Sequence, residues 1–290
     1  MYNNDGGIMM DIKLVKQLRD MTGAGMLECK KALEVTNDNI EEAVKYLEKN
    51  TAHESLNARV ASKGLTRVHL NQDEAILFEV NAETDFAAKN PHFIELLDQL
   101  AHRWITQPVK NIKEALALNM EDKSVEEHIN YIGGLMKEHI YLRRFHRIKK
   151  QSHQSFSSYM HAQGKLSVLV ILDHPHEQLG KETAMIIAAN QPTYISDDKI
   201  DSDTLNYEKF MYEKNNEGFD TFDDFINRKL LIKQSSIFNP TYTLEQLLDQ
   251  ASLKVVDFYR FELGQGIEDK LNCRLDIPCD GSKITVTPIY

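Results

Sequence analysis

Cysteine is scarce and scattered: Cys29, Cys273 and Cys279 are odd in number, and no CxxC pair occurs. That speaks against a disulfide framework or a zinc knuckle and fits a reducing compartment. Long apolar runs are missing too. The longest, Leu166 to Leu172, falls far short of the roughly 20 residues that a bilayer span needs. No apolar signal segment opens the chain, so Met1 to Met10 reads as a plain leader, and a cytoplasmic location without membrane association is expected. Basic residues are outnumbered 34 to 44, and a formal charge of -10 disfavours nonspecific binding to phosphate backbones, which needs many Lys and Arg contacts. A protein partner is favoured over nucleic acid. A GxxxxGKS or GxxxxGKT phosphate loop is absent, and Gly264 and Gly266 lack the third glycine and helix of a dinucleotide site. His174-Pro175-His176 is too short and isolated for a metal site and reads as a surface loop. Without a nucleophile elbow, an HExxH pair or paired carboxylates, neither an enzyme nor a cofactor-binding protein is expected.

What is present is an ordinary mixture, 42% hydrophobic and 27% charged over 290 residues, long enough for two or three structural units. Residues 1–55 read as a three-helix domain. Leu14, Val15 and Leu18 share a face of the first helix, which stops at Thr22-Gly23-Ala24-Gly25; Cys29, Ala32 and Leu33 point inward from the second. Thr36-Asn37-Asp38-Asn39 breaks that helix, and Asp38 with Glu41 forms a candidate capping box for a third helix carrying Ile40, Ala43, Val44 and Leu47. Residues 51–65 read as a linker or partial helix.

Residues 56–150 are expected to form the first half of an α+β core. Thr66 to Leu70 and Ala75 to Val80, joined by the polar Asn71 to Glu74, read as an antiparallel hairpin. A helix follows, capped by Asn90 with Pro91 in its first turn, and Phe93, Leu96, Leu97, Leu100 and Trp104 line one face. Between strand and helix, Glu83-Thr84-Asp85-Phe86 sets a bulky aromatic among carboxylates, and Phe86 belongs to neither apolar stripe. Two readings stay open: a staple folded back on the helix entry, or a wedge presented to a partner's crevice. Further on, Ser124 with Glu127 caps a helix with Val125, Ile129, Ile132, Met136 and Ile140 inward. Arg143, Arg144 and Arg147 at its end read as a solvated terminus or a salt-bridge set.

Residues 151–290 repeat the scheme: strands around Phe156 to Met160 and Leu166 to Leu172, then a helix from about Glu177. Hairpin then helix, twice, implies two related α+β subdomains with helices packed on antiparallel sheets. A helical hairpin is inserted at about 200–235. Thr243 with Gln246 caps another helix, and Lys254 to Leu263 returns to a strand that completes the second sheet.

Several ordered segments carry a resemblance: Leu14 to Arg19, Thr22 to Leu33, Thr84-Asp85-Phe86-Ala87-Ala88, Ile140 to Arg144, Ser158-Tyr159-Met160-His161, Ala188 to Pro192, and Tyr259 to Glu268. Together they are similar to elongation factor Ts over nearly the whole chain. The resemblance implies an N-terminal domain of the ubiquitin-associated (UBA-like) type and a guanine-nucleotide exchange factor that binds elongation factor Tu and performs no bond chemistry. It implies a bacterial cytoplasm or, as the alternative, an organelle matrix or stroma. Its motif positions imply that Phe86 enters the partner's nucleotide domain, with Thr84, Asp85 and Ala87 beside it and His161 joining the core contact. Arg19, Met26, Leu27 and Lys30 would press near the partner's phosphate loop, and Ile237 would touch it elsewhere. The departures are Ala87 for the usual valine, Ser235-Ser236 for a common Pro-Phe pair, a shorter helical arm and an unfamiliar tail from Asp269. The alternative from another class is a UBA-like adaptor or peptide-binding protein without exchange activity.

Overall fold

The computed structural model describes residues 12–22, 24–51, 61–120, 122–214 and 221–266. The leader, most of the expected linker, Cys273, Cys279 and the tail lie outside these. The elements run in chain order as α1 (Ile12–Thr22), α2 (Met26–Val35), α3 (Ile40–Thr51), β1 (Lys63–Leu70), β2 (Glu74–Ala82), α4 (Asp85–Ala88), α5 (Pro91–Ile105) and α6 (Ile112–Ala117). They continue as β3 (Asn119–Met120), β4 (Lys123–Ser124), α7 (Val125–Met136), β5 (Tyr141–Lys149), β6 (Ser155–His161), β7 (Leu166–Leu172), α8 (Glu177–Asn190), α9 (Ser202–Lys214), α10 (Phe222–Lys229), α11 (Leu244–Gln250) and β8 (Val255–Glu262). Sheet orders are β1-β2-β5, β3-β4 and β6-β7-β8. The fold is α+β with an N-terminal helical region. The described residues divide between two compact units, one drawn from within 12–65, 79–146 and 263–266, the other from within 66–78 and 147–262.

In the first unit, Val15, Leu18, Cys29, Ala32, Leu33, Ala43 and Leu47 bury together with Leu135 of α7, and Tyr131 and Ile132 pack at the margin. The three N-terminal helices therefore share their core with α7. Two polar ties reinforce this: Lys137 Nζ meets Glu28 at 2.8 Å, and His92 Nε2 lies 3.0 Å from the Asp20 carbonyl. The cap of α3 falls one residue later than expected. Asn39 Oδ1 accepts from the Glu42 N–H at 3.2 Å, because Asn37 and Asp38 both take left-handed φ, 50° and 62°, which Asn and Asp tolerate better than most residues. The apolar face of α5 is buried as its spacing requires. Trp104, the chain's one tryptophan, is fully buried, donates from Nε1 to the Ala115 carbonyl at 3.0 Å and meets Phe145 edge-on at 5.2 Å.

The capping box of Ser124 and Glu127 stands, but the helix it opens is shorter than its apolar spacing predicts. Lys137 turns left-handed (φ 56°) and its N–H closes on the Gly133 and Gly134 carbonyls, which ends α7 at Met136. Ile140 therefore lies past the helix, and Arg143, Arg144 and Arg147 belong to strand β5 rather than to a helix terminus. Their charges are met as a salt-bridge set. Fully buried Glu79 accepts from Arg143 Nη1 at 2.9 Å and Arg144 Nε at 2.6 Å and from the Gly264 N–H at 3.0 Å, while Arg147 pairs with Glu74. Removing one member of such a buried pair typically costs about 3–5 kcal/mol.

In the second unit every residue of β7 is buried. Leu166, Val168, Val170 and Leu172 join the cluster with Leu179, Ile186 and Ile187 of α8 and Leu244 and Leu248 of α11. Leu169 and Ile171, on the opposite face, pack with Ala75, Leu77, Ile148 and Phe261. The close seat of α8 depends on Gly180, where a Cβ would sit 2.1 Å from Ser157 Oγ and 2.8 Å from Leu172 Cδ1. The inserted hairpin is present as α9 packed on α10, with Tyr212 meeting Phe222 and Phe225 at 5.7 and 5.6 Å.

Candidate functional site

The turn after β2 is built by two caps in succession. Thr84 is extended (φ -126°, ψ 152°) and its Oγ1 accepts from the Ala87 N–H at 3.1 Å, opening the single turn α4. Two residues past its end, Asn90 Oδ1 accepts from the His92 N–H at 2.9 Å and opens α5. Small side chains let this turn sit down: Ala87 and Ala88 are 4% and 6% exposed. Phe86, between Asp85 and those alanines, is 87% exposed. The staple is therefore not formed, and Phe86 stands in solvent although its burial would be worth about 1.5–3 kcal/mol. A carboxylate fixes the base of the turn. Glu138 accepts from Thr84 Oγ1 at 2.6 Å and from the Glu83 N–H at 3.1 Å.

The N-terminal residues of the candidate set lie on α1 and α2 of the first unit. Met26 and Leu27 are 47% and 71% exposed at the start of α2, where Gly25 is an N-cap without a side-chain hydrogen bond. Arg19 is exposed on α1, and exposed Lys30 pairs loosely with Glu34 at 3.8 Å. Met21, 55% exposed, adds an apolar side chain to α1 that sequence reasoning passed over, because its i+7 spacing from Leu14 and i+3 from Leu18 places it beside the inward face. Cys29 is buried, and burial pushes its thiol above the ordinary range.

His161 and Ile237 belong to the second unit. His161 is exposed at the end of β6, with Nδ1 3.1 Å from Tyr159 Oη. The chain then reverses through three successive residues of positive φ: Ala162 at 48°, Gln163 at 58° and Gly164 at 105°. Such conformations persist when their surroundings over-determine them, and here β1 does so. Thr66 Oγ1 donates to the Gly164 carbonyl at 2.9 Å and Arg67 Nη1 to that of Gln163 at 3.1 Å. Ile237 is 39% exposed on the loop before α11, beside Phe238 at 62% and Tyr242 at 39%. Phe238 and Glu138 were not singled out in the sequence. Phe238 had a signal, an aromatic outside any periodic stripe.

Among the described residues, no group of three or more His, Cys, Asp and Glu side chains could hold a metal ion, and no helix is long and apolar enough to cross a membrane. Of the candidate residues, Phe86, Met26, Leu27 and Ile237 present exposed apolar side chains.

Comparison with known proteins follows the same lines. The model of the family described as Elongation factor TS matches residues 83–265, a span holding the Phe86 turn's core, His161 and Ile237. A curated relative, Elongation factor Ts of Acholeplasma laidlawii (strain PG-8A), is 37% identical over 278 residues, covering 89% of this chain and 94% of the relative. With that match spanning both units, the chain belongs to the elongation factor Ts family.

Proposed function

We propose that this protein binds elongation factor Tu in its GDP form and promotes release of GDP and exchange for GTP, acting by binding alone, in the cytoplasm. The observation that carries the reading is the exposed Phe86 on its doubly capped turn. An aromatic on a turn already fixed by hydrogen bonds gives up little backbone entropy when it enters a crevice. Phe86 inserts into the partner's nucleotide domain, Asp85 hydrogen-bonds beside it, and the groups that hold magnesium and phosphate are disturbed. Arg19, Met26, Leu27 and Lys30 supply a second contact near the phosphate loop, and His161 and Ile237 supply others. Neither nucleic acid nor membrane is needed.

The energetics are those of linkage. A factor that binds the nucleotide-free GTPase more tightly than the GDP form weakens GDP by the same ratio by which GDP weakens the factor. No bond is made or broken in this chain. The test is release of labelled GDP from elongation factor Tu with the wild-type chain and with Phe86→Ala. Truncating an interface aromatic of this kind costs about 2 kcal/mol or more, so exchange is expected to fall at least about thirtyfold. The melting temperature stays close to wild type, since a solvated side chain contributes within about 0.5 kcal/mol. A chain that binds elongation factor Tu or free peptides yet leaves GDP release unaccelerated would be an adaptor, and the exchange reading would fall.

A further inference from the structure

Glu182 is 4% exposed on α8, next to Thr183 and Ala184 and on the helix that carries Leu179, Ile186 and Ile187 into the core of the second unit. An apolar residue would fill that place without desolvating a carboxyl group. The carboxylate's partners all come from one loop. Its Oε1 accepts from Ser236 Oγ, from the Ile237 N–H at 3.1 Å and from the Phe238 N–H at 3.4 Å. Ser236 is itself buried and its Oγ takes the Asn239 N–H at 3.0 Å. Successive N–H groups that converge on one anion make a nest; here the anion is internal.

The loop's outer side is apolar. The ends are closed by the Ser235 to Thr243 bridge and by the Ser236 N–H to Tyr242 carbonyl bond at 2.9 Å. With backbone donors turned inward on Glu182, Ile237 and Phe238 are left 39% and 62% exposed.

We infer that Glu182 is a positioning residue of the exchange factor: it is the buried anion around which residues 236–239 fold, and by holding them it presents Ile237 and Phe238 to elongation factor Tu. This rests on the reading above that Ile237 meets that partner. The carboxylate itself touches nothing outside the chain. Its effect passes through the loop, so its loss and the loss of Phe238 remove the same contact.

The experiment uses the full chain and labelled GDP on elongation factor Tu, with Glu182→Ala, Glu182→Gln, Ser236→Ala and Phe238→Ala, and each of the first three combined with Phe238→Ala. For every variant the half-saturating concentration and maximal rate of GDP release are measured beside the melting curve. Phe238→Ala and Glu182→Ala are each expected to raise the half-saturating concentration by about tenfold, the scale of an interface residue that matters. The loss appears there more than in the maximal rate. In combination they are expected to do no more than either alone, the mark of groups acting through one contact. Glu182→Gln keeps an acceptor oxygen and is expected to stay within about threefold of wild type. Should Glu182→Ala fail to fold, Ser236→Ala, which removes one of the carboxylate's loop partners, carries the same cycle. Effects of Glu182→Ala or Ser236→Ala that multiply with those of Phe238→Ala, or wild-type half-saturation in folded Glu182→Ala and Ser236→Ala, overturn the inference. A wild-type chain that does not accelerate release defeats the underlying reading instead; an active chain sensitive to Phe86→Ala but indifferent at 182, 236 and 238 defeats this inference alone.

Discussion

Thr84 Oγ1 donates to Glu138 Oε1 at 2.6 Å across 54 residues of sequence, and the other oxygen of that carboxylate takes the Glu83 N–H at 3.1 Å. The turn that carries Phe86 is thus fastened at its base from the segment between α7 and β5. A short loop tied only by its own caps would sample several orientations of the aromatic; one tied to a distant element samples fewer.

Glu138→Ala is accordingly expected to lower exchange by about tenfold, while stability falls by about 1–3 kcal/mol for donors left without their acceptor. Glu138→Gln, which keeps one acceptor oxygen, falls between. GDP release set against thermal melting separates the two effects. Exchange unchanged in a folded Glu138→Ala protein would show that the turn is rigid without this tie.

Leu135 lies in the cluster of the N-terminal helices although it belongs to α7. Leu135→Ala is expected to cost about 2–5 kcal/mol, as buried leucines do, and to loosen α1 to α3 along with α7. Amide hydrogen exchange checks this directly. Faster exchange confined to α7, with α1 to α3 as protected as before, would refute the shared core.

Two surface-facing carboxylates set an acid limit. The Lys137 ammonium, hydrogen-bonded to Glu28, holds that carboxyl below its ordinary 4.5, and the Arg147 guanidinium does the same for Glu74. A carboxyl depressed in the folded chain stabilises it above the ordinary value. As pH falls below that value the unfolded chain takes up protons first, so the stabilisation is lost on the way down to the folded-state value. Melting temperature is expected to drop across this acid range, and Glu28→Gln and Glu74→Gln each to flatten part of the drop. Parallel curves for wild type and both variants would count against it.

Gln163 sits at φ 58° between Ala162 and Gly164, both also positive. The left-handed region costs an ordinary residue about 1–2 kcal/mol, and a β-branched side chain tolerates it worst. Gln163→Val is expected to lower stability by about 1–2 kcal/mol, whereas Gln163→Gly leaves it equal or higher; urea denaturation reads both. A valine variant as stable as wild type would mean the turn relaxes out of the left-handed region.

Much of this was legible in the chain. The stripe Phe93, Leu96, Leu97, Leu100 and Trp104 and the boxes Ser124 with Glu127 and Thr243 with Gln246 depend on neighbours within a few residues, and the structure has them as read. Strand β5 was not, because Tyr141 to Lys149 is rich in arginine and its counter-ion Glu79 is 64 residues from Arg143. A charged segment whose partner is that distant resembles a helix end. Phe86 stood out by fitting no stripe, yet whether anything covered it depends on tertiary structure. Glu138 and Glu182 gave no local sign, since each acts on a loop about fifty residues away.

The burial of Trp104 has an optical consequence. A lone indole, dry and bonded to the Ala115 carbonyl, emits toward the blue, and its shift to the red on heating reports the opening of the first unit. The second unit is dark to that measurement. Far-ultraviolet circular dichroism follows both, so a gap between the two melting curves would reveal units that come apart in separate steps, without any label being attached.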